Sequence, residues 1–307
     1  MHMHIKYTLF ILVILLFAFK GFTAEQPKTS FSVNGIPSDF GLLFISSLPN
    51  DTLTILKSDF ITQLTFYSSD STVFSLKENM LKWVSPQTPG IYEIIVKADL
   101  QTYVLKLFVM KPLDEIKKNS THFIVGDYPS KSYKNMRQYA IPDGMIEVTE
   151  TNQETYLSEH FQLKDFLTKQ QSGFPKYVII SPKLIYKLEL LIQKMESNGI
   201  SVENLHVMSG YRTPYYNGSI GNGRNSRHIY GDAADVFLDN DNNQLMDDVN
   251  KDGKLTIEDA RFIGALADEI DTDPKDSWLK GGIGVYNGNG SHGVFVHIDT
   301  RGNIIRW

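Results

Sequence analysis

The sequence predicts an α+β domain preceded by a small all-β sandwich, and three patterns predict it. Residues 25–112 break into short β-prone runs with turn residues about every 8–12 positions. An amphipathic helical pattern starts at Ser181-Pro182, with serine at the N-cap and proline at the first helical position. Beyond it, the apolar runs Val236-Phe237-Leu238 and Phe295–Asp299 flank a second helical pattern. At 307 residues the chain is long enough for about two domains. Hydrophobic residues make up 42% and charged residues 21%, which supports a packed core and excludes wholesale disorder.

The elements follow in order. Residues 1–24 read as an export signal: Lys6 is the positive start and Tyr7 to Phe19 is an uncharged run ending before Ala24, the expected cleavage position. That run makes only about 20 Å of helix, short for a bilayer. Left uncleaved it would be a membrane anchor; otherwise no membrane contact is expected of the mature chain. Either way the remaining chain is expected outside the cytoplasm, in the periplasm or cell envelope or secreted. In residues 25–112 the strand runs are Leu42–Ile45, Thr52–Leu56, Leu64–Tyr67, Tyr92–Val96 and Tyr103–Met110. Pro89-Gly90-Ile91-Tyr92 resembles the entry to a late strand of immunoglobulin- or cadherin-like modules, which implies a spacer or adhesion module without chemistry. Residues 113–150 read as a polar connector with turns at Asp127–Ser130 and Ile141–Gly144. In residues 151–307, Leu184, Ile185, Leu188, Leu191, Ile192 and Met195 recur at helical spacing until Gly199.

Composition narrows the function. Thirty basic against 35 acidic residues give a net charge of −5, with no basic excess to neutralise phosphates, so no nucleic-acid partner is expected. The absence of cysteine excludes disulfide scaffolds, thiolate zinc sites, iron–sulfur clusters and cysteine nucleophiles. His228, Asp235 and His297 stand out. Two imidazoles and a carboxylate satisfy a catalytic zinc site, which needs three nitrogen or oxygen ligands and one open position.

Ser209-Gly210-Tyr211-Arg212-Thr213-Pro214, the segment His228 to Asp235, and Gly282–Tyr286 with Val296–Asp299 occur in this order. Together they resemble the zinc D-Ala-D-Ala carboxypeptidase family, whose fold is shared by murein endopeptidases and hedgehog signalling domains. Ser158 to Phe166 resembles the stretch that often opens such domains, so the resemblance covers residues 115–307. It implies a hedgehog-like α+β fold with an antiparallel sheet, zinc on His228, Asp235 and His297, and peptidoglycan as partner. Arg212 matches the arginine that orients substrate and stabilises the tetrahedral intermediate; Tyr211 and Ser226 fall where relatives contact substrate. Where many relatives carry an acidic general base this chain has Val294, and where others carry a histidine it has Phe295. Asp299, on the face of His297, is the first candidate for the base, and His292, in a glycine-rich loop, the second.

The insertion 239–259 holds seven acidic residues and two lysines. Asp248, Asn250, Asp252, Lys254, Thr256 and Asp259 fall at calcium-loop positions with Gly253 between, and the pattern resembles dockerin loops. Asp239, Asp241 and Asn243 begin a similar, incomplete half, which allows a second calcium. The expectation is an exported zinc metallopeptidase that cuts peptidoglycan stem peptides as a carboxypeptidase or endopeptidase. Its rival is an inactive zinc- and calcium-binding module for the cell wall.

Overall fold

The computed structural model describes residues 29–68, 72–76, 78–117, 122–290 and 292–307. The apolar run read as an export signal lies outside them. Among the described residues no helix is long and apolar enough to cross a membrane.

The N-terminal part is two facing sheets. Its strands are β1 (Phe31–Val33), β2 (Ile36–Pro37), β3 (Leu42–Ser47), β4 (Thr52–Lys57), β5 (Leu64–Tyr67), β6 (Thr72–Leu76), β7 (Met80–Val84), β8 (Gly90–Ala98) and β9 (Gln101–Val109). One sheet runs β2-β1-β4-β7 and the other β3-β9-β8-β5-β6; only β3 and β9 pair in parallel. Alternation decides which side faces in: Leu53 and Ile55 of β4 and Ile94 and Val96 of β8 are buried. The Phe31 ring meets Phe66 and Tyr103 edge-on, which ties the two sheets together.

The stretch read as a connector carries β11 (Gly144–Val148), which pairs with β10 (Lys111–Pro112) and β12 (Lys176–Val178). The C-terminal part follows with α1 (Pro182–Ser197), β13 (Leu205–Ser209), α2 (Pro214–Ser219), β14 (Ala233–Leu238), α3 (Ile257–Thr272), β15 (Gly282–Tyr286), β16 (Phe295–Asp299) and β17 (Ile305–Arg306). Its sheet runs β13-β14-β16-β15-β17, antiparallel except for the last pair. The molecule is thus mixed α+β with an N-terminal β region. Helix α1 buries the apolar positions its spacing marks and ends where Gly199 takes φ +77°. Helix α3 likewise buries Ala260, Ile263, Leu266, Ala267 and Ile270, and packs on β15 and β16.

Among the described residues, side chains of α1 and Glu159 join the parts. The Tyr186 hydroxyl on α1 donates to Asp39, and its ring meets Phe40 at 5.1 Å. Gly41 N donates to Glu159 Oε1 at 3.0 Å. Next to Tyr186, Lys187 is fully buried. Its ammonium donates to Asp271 Oδ1 of α3 at 2.5 Å and to the Asp299 carbonyl of β16 at 3.0 Å. Removing one member of a buried ion pair leaves the other uncompensated, so Lys187→Met is expected to cost about 3–5 kcal/mol. Urea unfolding of the variant checks this, and a cost below about 1 kcal/mol would show that Asp271 is satisfied without it.

Candidate metal centre

Strand pairing builds most of the site. β14 and β16 are antiparallel with Asp235 directly opposite His297, so both side chains leave the same face. His228 arrives from a single 3₁₀ turn, Arg227–Tyr230, closed by Gly231 at φ +70°. A Cβ on Gly231 would lie 2.1 Å from the Ile179 carbonyl oxygen, so only glycine lets this turn close onto the chain before α1.

Three donor atoms converge. His228 Nε2 lies 3.2 Å from His297 Nδ1 and 3.2 Å from Asp235 Oδ1, and His297 Nδ1 lies 2.9 Å from Asp235 Oδ1. Tetrahedral zinc with bonds of about 2.0–2.1 Å puts its ligand atoms about 3.3 Å apart, so this triangle fits one face of such a site. The outer ring atoms agree. His228 Nδ1 is 2.7 Å from the Gly210 carbonyl, which can only accept, so Nδ1 carries the proton and Nε2 presents its lone pair. His297 Nε2 is 3.1 Å from Asp299 Oδ2, which leaves Nδ1 to face the triangle.

Charge is compensated around the triangle. Arg212 Nη2 donates to Asp235 Oδ2 at 2.5 Å and its Nε to Ser209 Oγ at 2.9 Å. Burial alone would raise the Asp235 carboxyl, but the two imidazoles hold it far below its ordinary range. Burial lowers His228, whereas for His297 the bonds to Asp235 and Asp299 outweigh burial and raise it to about 9.

The triangle forms part of the wall of a cleft of about 410 Å³, and Arg212, Ser226 and His292 also line it. Asp299 does not. Its oxygens accept from His297 Nε2, Gly282 N, and the Arg301 backbone and guanidinium, on the far side of the imidazole from the triangle. The reading of Asp299 as general base is therefore corrected: sharing a face with His297 put it behind the ring. Tyr211 is corrected too. It is 1% exposed, its hydroxyl is 2.8 Å from that of Tyr128, and it belongs to the core rather than to a substrate surface. His292 lies on the wall with Nδ1 2.8 Å from the Gly293 carbonyl and Nε2 2.8 Å from Asn289 Nδ2, contacts within its own loop.

Residues 159–258 match the family Peptidase M15. This is the zinc D-Ala-D-Ala carboxypeptidase-like family that the motifs resemble, a family of zinc-dependent peptidases. The M15 segment holds Arg212, His228 and Asp235, and it ends before His297. No curated protein matches the chain. Among solved structures, fibronectin(III)-like modules of CbhA from Clostridium thermocellum are 21% identical over 22% of this chain and 86% of theirs, with a TM-score of 0.18.

The acidic insertion is held together largely by side-chain to backbone hydrogen bonds. Asp259 is fully buried and accepts from Val249 N, Asn250 N and Thr256 N. With Thr256 it forms the capping box of α3. Asp248, Asn250 and Asp252 accept from backbone N–H groups of residues 252–254, and Lys254 supplies one of these. The carboxylates that do converge lie upstream: Asp239, Asp241 and Asp247. Asn243 accompanies them, its Nδ2 donating to Asp241 Oδ2 at 2.8 Å.

Sequence reasoning also missed wall residues, among them Trp307, Tyr286 and Phe295. The period-two spacing of Gly282, Gly284 and Tyr286 on β15 was the available signal. Asp299→Asn tests the positioning of His297. Replacing the outer partner of a ligating histidine is expected to weaken zinc binding about 10–100-fold. Competition with a chromogenic chelator measures it, and unchanged affinity would mean that Asp299 serves only the fold.

Proposed function

We propose that the chain is an exported zinc metallopeptidase that hydrolyses the stem peptides of peptidoglycan, as a D-Ala-D-Ala carboxypeptidase or a DD-endopeptidase. The observation carrying this reading is the convergence of His228, Asp235 and His297 at a cleft wall, two of them inside the M15 segment. In this reading the C-terminal part has the hedgehog-like fold and the facing sheets are an immunoglobulin-like spacer.

His228 Nε2, His297 Nδ1 and Asp235 Oδ1 would hold the zinc. Bound zinc supplies a Lewis acid that polarises a carbonyl and acidifies water. Arg212 neutralises the outer oxygen of Asp235 and, on the cleft wall, is placed to hold a substrate carboxylate or a developing oxyanion. Ser226 offers its hydroxyl to the peptide from the His228 side. Among the described residues His292 is the imidazole on the wall outside the triangle, and it would carry the proton to the leaving amine once its Nε2 leaves Asn289. Asp299 positions His297 from behind.

One observation favours the second reading, an inactive wall-binding module. Asp235 is the only carboxylate lining the cleft among the described residues, and both its oxygens are engaged. Incubation of the zinc- and calcium-loaded protein with sacculi, followed by mass spectrometry, separates the two. Free D-alanine or resolved cross-links, absent with His297→Ala, are expected. Unchanged muropeptides from protein that retains zinc would leave the binding module.

Calcium belongs to this reading as a brace on the insertion, with Asp239, Asp241 and Asp247 as its carboxylates. Calcium at about 100 times its dissociation constant adds about 2.7 kcal/mol to the folded state, or about 5–10 °C in melting temperature. Calorimetry of the zinc-loaded protein with and without calcium checks this. Asp239→Asn with Asp241→Asn is expected to abolish the gain; a wild-type protein with no gain would remove calcium from the reading.

A further inference from the structure

The cleft is lined by two unlike sets of residues: Arg212, Asn225 and Ser226 are polar, and Trp307, Tyr286 and Phe295 are aromatic. Strand β15 makes room for the aromatic set. Gly282 and Gly284 are two residues apart, and Gly284 sits directly opposite His297. A Cβ on Gly284 would lie 2.4 Å from Trp307 Cε2, and one on Gly282 would lie 3.0 Å from Trp307 Cζ3. The indole therefore fills space that two ordinary side chains would take, and it lies 5.2 Å, centroid to centroid, from the ring of His297.

The indole is also held in place. Its Nε1 donates to the Tyr286 hydroxyl at 2.5 Å. The Arg301 guanidinium, which grips Asp299, lies 5.5 Å from the ring centroid. Trp307 N donates to the Ile283 carbonyl and Val285 N to the Trp307 carbonyl, so β15 fixes the backbone on both sides. Tyr286 is stacked on Phe295 at 4.6 Å, with 9° between the planes. Despite these restraints Trp307 is 47% exposed. A rigid, half-open aromatic surface beside a reactive centre suits contact with an apolar group at little entropic cost. The Tyr286 hydroxyl accepts from the indole, so its own proton remains to be donated into the cleft.

We propose that Trp307 and Tyr286 form a substrate subsite beside the metal centre. The indole face takes the small apolar side chain next to the scissile bond, and the phenol donates to that residue's backbone carbonyl. The proposal rests on the peptidase reading and adds to it a preference for alanine-like over charged side chains at this position.

The test uses the zinc-loaded full chain with Trp307→Ala, Trp307→Phe and Tyr286→Phe, each checked for zinc content. Binding of a synthetic stem tetrapeptide ending in D-Ala is read by calorimetry, and hydrolysis of the pentapeptide ending in D-Ala-D-Ala is read kinetically. Trp307→Ala is expected to weaken tetrapeptide binding and raise KM by about tenfold, with zinc content kept and kcat within about threefold. Trp307→Phe, which keeps an aromatic face, should recover most of the binding. Tyr286→Phe should lose about tenfold in kcat/KM. Wild-type binding and KM in Trp307→Ala would overturn the subsite and leave the peptidase reading standing. A wild-type protein that neither binds the tetrapeptide nor cleaves the pentapeptide would overturn both.

Discussion

Two carboxylates bracket His297, and the site is arranged around that clamp. Asp235 holds Nδ1 at 2.9 Å and Asp299 holds Nε2 at 3.1 Å, all three groups being buried. A buried carboxylate carries a desolvation cost of several kcal/mol unless a cation answers it. Each has one: Arg212 on Asp235 and Arg301 on Asp299. Hydrogen-bonded partners thus run in one row from Arg212 through Asp235, His297 and Asp299 to Arg301. Removing any member leaves its neighbours unpaired in a medium that screens poorly. Strand register makes the row possible, since Asp235 lies opposite His297 and Asp299 follows two residues later on the same face.

A second buried cluster anchors the clamp from behind. Lys187 of α1 binds the Asp299 carbonyl and Asp271 of α3, and the other oxygen of Asp271 receives Arg306 of β17 at 2.8 Å. Arg306 immediately precedes Trp307, the indole on the cleft wall. One ionic cluster therefore fixes the strand that carries His297 and the strand that delivers the aromatic face. The N-terminal sheets reach the same place, because Asp39 and Phe40 grip Tyr186, the residue before Lys187. The contacts are contiguous from the β region to the candidate metal centre.

How much of this was legible follows from the range of each signal. A continuous apolar run located β14, alternation located β16, and period-3.6 spacing located α1 and α3, because each is a local pattern along the chain. The triangle was legible only through motif order; His228 and His297 are 69 positions apart and no periodicity relates them. Asp299 shows the limit of the alternation rule. The rule placed it on the face of His297, but which side of the imidazole it meets depends on χ angles that sequence does not carry. Asp259 shows a different limit. Thr256-x-x-Asp259 is at once the end of a calcium loop and a helix-opening capping box, and the structure spends the carboxylate on backbone N–H groups. Tyr211 lies in a motif beside Arg212, and adjacency concealed that its ring points into the core. The short strands β1 and β2 went unread because two or three residues hold too few alternations to stand out.

The charge of the cleft says what its ligand must bring. Its three arginines, Arg212, Arg227 and Arg301, are each answered, by Asp235, Asp232 and Asp299 respectively. The chain's acidic excess is concentrated in the insertion 239–259, so it does not offset this balance. With the protein's own groups cancelling, a divalent cation on His228, Asp235 and His297 would leave uncompensated positive charge facing an open cleft. A carboxylate on the wall would quench it, and apart from Asp235 none of the described wall residues supplies one. An anionic ligand would complete the balance, and Arg212, whose Nε and Nη2 are held by Ser209 and Asp235, stands on the cleft wall beside the triangle. A peptide rich in carboxylates, with small apolar side chains for the aromatic wall, meets both demands at once. A neutral or cationic chain would meet only the second.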